Sequence, residues 1–128
     1  MTDEKYTPQK HISLLAKDIL DFLKANCIGK ENAVKISAIV FRFETDRRTV
    51  ELCSEELREA GIPLCSLVCP PYGWFLARNY TEMENWCRQI DHRFKKMSIH
   101  RSMAIQRLKA EAAREGIQLN LEFFKWPN

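Results

Sequence analysis

The stretch Ile36–Ala77, ISAIVFRFETDRRTVELCSEELREAGIPLCSLVCPPYGWFLA, decides how the rest of the chain is read. Ile36, Ile39, Val40 and Phe43 recur at helical spacing around Ser37, a residue type that caps helix starts, so a helix is expected over 37–44 with Thr45 in the turn after it. Asp46 then caps a second helix over 46–60. In it Val50, Cys53, Leu57 and Ala60 fall three and four apart on one face, and Arg47, Arg48, Glu51, Glu55 and Arg58 lie off that face. Gly61 stops this helix. Apolar runs at 62–67 and 74–77 follow, separated by Cys69-Pro70-Pro71-Tyr72-Gly73, whose prolines forbid helix and cannot sit in a central strand. Two short helices, a tight turn and a β-hairpin over 62–77 are predicted.

Outward from this stretch, the first six residues read as unstructured, and Thr7-Pro8 opens a helix over 8–26 with Ile12, Leu15, Ile19, Leu20, Phe22 and Leu23 on its apolar face. Residues 30–35 form a polar connection into a short β bridge near Ile36. Beyond the hairpin, Thr81-x-x-Glu84 is a capping box, and neither Gly nor Pro occurs again until Gly116. A helix over 81–115 would be ~50 Å long at 1.5 Å per residue, so it either breaks near Ser98–Ser102 or projects. Its apolar stripe is expected to pack on the core through Met83 and Trp86. Its outer part, Ile90, Phe94, Met97 and Leu108, is a candidate dimer seam. Residues 116–128 form an apolar tail in which Ile117, Leu119, Leu121 and Phe123 alternate like a strand.

The run DRRTVELCSEELREAGIPLCS with the later YGWFLA resembles the winged helix-turn-helix domains of biotin-repressor type, and among them small proteins of phages and prophages. The resemblance rests on Arg48-Thr49-Val50, the span Leu57 to Pro63, Cys65-Ser66, Tyr72-Gly73 and Phe75-Leu76-Ala77, and it covers roughly residues 10 to 110. It implies an α+β, mainly α fold: a winged helix-turn-helix core over 1–80 with a leading helix, a β-hairpin wing and a long C-terminal helix. It also implies a small intracellular protein that binds double-stranded DNA. The chain departs from the family pattern at Glu44, where Gly is usual, at Val40, where Ala is usual, and at Glu51 and Leu52, where Arg is frequent.

Charge refines that expectation. Residues 46–60 hold three arginines against five acids, so this helix cannot lie along phosphates for its whole length. Its N-terminal end, with Arg47 and Arg48 and the positive end of the helix dipole, still suits a major groove. The candidate DNA contacts are therefore Arg47, Arg48 and Thr49 at base edges, with Arg42 and Ser37 near phosphates. Residues 88–109 carry Arg88, Arg93, Lys95, Lys96, Arg101, Arg107 and Lys109 against Asp91 alone, a net of +6 in a chain whose total is +3. This is a candidate surface for a polyanion or an acidic partner.

The remaining signals exclude more than they assign. Five cysteines without framework spacing read as reduced thiols, and with a polar N-terminus and no long apolar run they point to the cytoplasm, with no membrane association; the phage resemblance implies that of a bacterial host cell. The three histidines are scattered, and no phosphate loop, nucleophile elbow or zinc-protease motif occurs, so neither an enzyme nor a cofactor is expected. Cys65-x-x-x-Cys69 lacks the second pair a zinc site needs. Transcription regulation and replication initiation both fit a phage-type DNA-binding protein. The alternative is a protein-binding module acting on a host nucleic-acid-processing machine, because Leu67–Tyr72 contains no Lys or Arg to hold phosphate.

Overall fold

The computed structural model describes residues 4–67, 69 and 72–119. It is mainly helical: α1 (Leu14–Asn26), α2 (Ile36–Arg42) and α3 (Arg47–Glu59), an antiparallel hairpin of β1 (Leu64–Leu67) and β2 (Gly73–Leu76), then α4 (Tyr80–Glu115). The chain divides into two compact units, Met1–Cys87 and Arg88–Asn128.

The core of the first unit collects the apolar faces read from the sequence. Ile19, Leu20 and Leu23 of α1, Ile39 of α2, Val50 and Leu57 of α3, Leu64 of β1 and Leu76 of β2 are all fully buried together. Each such side chain contributes roughly 1.5–3 kcal/mol through its removal from water. A second cluster joins Cys65, Phe75 and Ala77 of the hairpin to Trp86 in the first turns of α4, with Met83 against it, as the stripe predicted. Arg58 ties these layers together, donating from Nε to the Leu64 carbonyl at 2.9 Å with its guanidinium over the Trp86 ring at 5.4 Å. Cys27, Cys53 and Cys65 are buried as free thiols, and burial pushes the Cys65 thiol up to about 12, so it serves packing.

Several predicted boundaries move, each for a local reason. Helix α1 starts at Leu14 rather than residue 8, because Ser13 is its N-cap, accepting from the Ala16 amide at 3.2 Å. The Ser13 amide and hydroxyl in turn both donate to the Glu56 carboxylate of α3, at 2.8 and 2.9 Å. The residues before it are not free: Tyr6 is buried, its hydroxyl donating to the Ala77 carbonyl at 2.7 Å, and the Gln9 amide donates to Ala60. Ser37 lies inside α2 rather than capping it, and Lys35 takes the cap position without a side-chain bond. The helix ends at Arg42 because Glu44 adopts the left-handed conformation, with φ of 51°. Asp46 does cap α3, and Gly61 ends it at φ 88°, a conformation that costs glycine nothing. Ile62 closes α3 by donating to the Leu57 carbonyl, so β1 begins two residues later than expected.

At its other edge β2 meets the connection between α1 and α2. Val34 and Trp74 exchange both backbone hydrogen bonds, at 2.9 and 2.7 Å, two residues before the bridge expected near Ile36. Glycine at 73 allows this close approach, since a Cβ there would sit 3.0 Å from the Val34 oxygen and press on that backbone. Helix α4 is capped by Asn79 rather than Thr81: the Asn79 side chain accepts from the Glu82 amide at 3.0 Å, and the Glu82 carboxylate accepts from Arg78 and Lys30 amides.

Within the second unit the helix runs from Arg88 to Glu115 with no break at 98–102, since a serine costs only about 0.5 kcal/mol relative to alanine. The Ile117 amide closes it on the Ala112 carbonyl at 2.9 Å. Of the alternating tail, 117–119 is described and is not strand, and the remainder lies outside the described residues. No described helix is long and apolar enough to cross a membrane.

Candidate nucleic-acid interface

The start of α3 is held by Asp46. Its carboxylate accepts the Thr49 amide at 2.7 Å, and that hydrogen bond, with one from the Thr49 side chain, keeps the carboxyl below the usual aspartate range. This cap presents Arg47 and Arg48 in the first helical turn, both exposed. Thr49 is half-buried and committed to the cap, which leaves less of it for a base edge than the sequence implied.

Arg47 reaches along the helix to Glu51, Nε to carboxylate at 3.2 Å, with both side chains more than half exposed. An exposed pair of this kind is worth little, so an incoming phosphate competes with Glu51 readily. The other α3 acids are partly spoken for: Asp46 serves the cap and Glu56 braces α1 through Ser13. The negative balance of this helix therefore overstates what a ligand at its N-terminal end meets.

Arg47 and Glu51 line a groove of about 540 Å³ with Lys35, Ile36 and Ser37 from the start of α2 and Ser66, Leu67, Tyr72, Gly73 and Trp74 from the hairpin. Two of the expected contacts, Ser37 and Arg47, are thus brought together. Arg42 is not with them. Its guanidinium lies over the Phe22 ring at 4.6 Å and the Phe43 ring at 5.9 Å, a pair of cation–π contacts that draw it toward α1. Arg48 is exposed but does not line the groove.

Lys35, Tyr72 and Trp74 are groove residues that the sequence reading did not assign. A signal existed: the sixteen residues from Ile62 to Ala77 contain no charge at all, yet Tyr72 stands 58% exposed at the end of the hairpin loop. In comparisons with family models, characterised proteins and solved structures, nothing matches this chain.

In the second unit, Arg88, Arg93, Lys95, Lys96, Arg101, Arg107 and Lys109 all lie on α4, Arg101 half-buried and the others exposed. Arg107 pairs with Glu111 at 3.3 Å, and Glu111 also holds Arg114. Ile90, Phe94, Met97 and Leu108 fall within one stripe at 100° per residue, and all are exposed, Phe94 and Met97 by more than 60%. Ile99 and Met103, equally exposed, interrupt the opposite, basic side and were not anticipated.

Proposed function

We propose that this protein is a non-enzymatic, winged helix-turn-helix DNA-binding protein of phage or mobile-element type. On this reading α2 and α3 form the helix-turn-helix, the N-terminal end of α3 enters the major groove, and the hairpin is the wing. The observation that carries it is the convergence of Arg47, Lys35 and Ser37 with the hairpin on one groove beside the capped start of α3. Cations and helix amides at that end favour phosphate, and an exposed arginine in the first turn is placed to read a guanine edge. The basic residues of α4 add sequence-independent affinity, and its exposed stripe supports a homodimer. Transcription regulation and replication initiation are both served by such a protein.

The test is a gel shift on random duplex DNA at low and physiological salt, followed by selection of a preferred site. Replacing Arg47 and Arg48 together by alanine should weaken binding to that site by about 1–3 kcal/mol, the worth of a good base contact, with circular dichroism unchanged. Equal affinity of wild type and variant would remove α3 from the interface. A second reading, a module that binds protein in place of DNA, is favoured by the uncharged hairpin and by Phe41, which is 86% exposed on α2. Absence of any shift at low salt would install it.

A further inference from the structure

The hairpin side of the groove beside α3 offers more to a base than to a phosphate. Its hairpin side has no charged residue between Ile62 and Ala77, so it offers no cation to a phosphate. What it offers are two aromatic side chains on either side of Gly73: Tyr72, 58% exposed, and Trp74, half-buried with its backbone fixed to Val34. The cations line the same groove, Lys35 next to the Val34–Trp74 pair and Arg47 at the start of α3. A volume of about 540 Å³ lies within the range of sites for small molecules, roughly 300–1,000 Å³. An exposed aromatic ring in one groove with two cations matches a single nucleotide, with its base on Tyr72 and its phosphate on Lys35 and Arg47. A base inside a duplex has both faces covered by its neighbours and cannot take this place; an unpaired base can.

We propose that the groove takes one unpaired nucleotide of DNA, so that the protein prefers a duplex carrying a single-stranded overhang to the same duplex with blunt ends. This rests on the DNA-binding reading and adds the kind of DNA to it. Tyr72 supplies the exposed stacking face, and Trp74, packed against the core, anchors the strand that carries it.

The experiment measures fluorescence anisotropy of the full chain with a blunt duplex and with the same duplex bearing a short overhang, the first unpaired base being 2-aminopurine. The overhang duplex should bind about tenfold more tightly, the worth of one stacked base, with 2-aminopurine emission quenched on binding. Tyr72→Ala should bring the overhang duplex down to the affinity of the blunt one, and Tyr72→Phe should keep the preference, because the ring and not the hydroxyl does the stacking. Both variants should fold, since the side chain is exposed and the Tyr72 amide's bond to the Cys69 carbonyl needs only backbone. Equal binding of the two duplexes by wild type, or a preference that survives Tyr72→Ala, would overturn the inference while leaving DNA binding in place. Binding of neither duplex at low salt would overturn both.

Discussion

Asp46 accepts the Thr49 amide as an anion, so the start of α3 is sensitive to acid. The folded carboxyl titrates below its unfolded value, mainly through that amide. Its contribution is therefore complete above the ordinary aspartate range, near pH 4, and is lost as pH falls through the folded value. Glu31, lowered by its hydrogen bond from Arg78, acts with the same sign. Thermal melts of the wild type should fall off below about pH 4. Asp46→Asn keeps a capping oxygen but carries no charge, so its melting temperature should decline less steeply over the same window, with the residual slope left to Glu31 and other carboxyls. Parallel curves for the two proteins would show that the cap charge is irrelevant.

Between α2 and α3 the chain turns through Glu44 with φ of 51°, a conformation glycine adopts freely and glutamate does not. Glu44→Gly should relieve that strain, and because glycine also enlarges the unfolded ensemble the net gain should be modest, about 0.5 kcal/mol, read as a higher urea midpoint at constant slope. A lower midpoint would mean that the Glu44 side chain stabilises the turn. Elements of this kind separate what the sequence makes visible from what it hides. Val50, Cys53 and Leu57 announce a buried face because helical period is local, and Asp46 announces a cap because its partner is three residues away. Tyr6 on Ala77, Glu56 on Ser13 and Arg42 over Phe22 span tens of residues, and no local pattern encodes them. For that reason helix 8–26 lost its first turns, Arg42 lies over Phe22 and outside the groove, and Lys35, Tyr72 and Trp74 joined the groove only when the fold brought α2 and the hairpin together. Ser37 and Thr81 show a second limit: a good capping residue is idle when a neighbour's backbone already starts the helix, as at Lys35, or when Asn79 captures the amide first.

At the scale of the whole molecule, the exposed stripe of α4 and its charge oppose one another. Two copies paired through Ile90, Phe94, Met97 and Leu108 would bring +6 against +6 over residues 88–109. Salt screens that repulsion but weakens every phosphate contact. Dimer formation should therefore rise with ionic strength, light scattering moving from 15.1 kDa toward about twice that mass, whereas DNA affinity falls. Met97→Glu or Leu108→Glu should hold the protein monomeric at every salt concentration. Reversing Lys95, Lys96 and Arg101 to glutamate should flatten the salt dependence of DNA binding by close to one unit of slope per lost phosphate contact. A wild type that stays monomeric at high salt would exclude the seam, and an unchanged salt slope would exclude the basic residues from the interface.

The reciprocal Val34–Trp74 pair, beside Gly73, joins the turn end of the hairpin to the loop before α2, so two sides of the groove share a backbone framework before any ligand arrives. Arrival then needs no prior opening, and little ordering entropy is spent on contact. Ligands that fit well and ligands that fit badly should enter at similar rates and differ in how long they stay. On the proposed DNA-binding function, discrimination at this surface is expected in residence time.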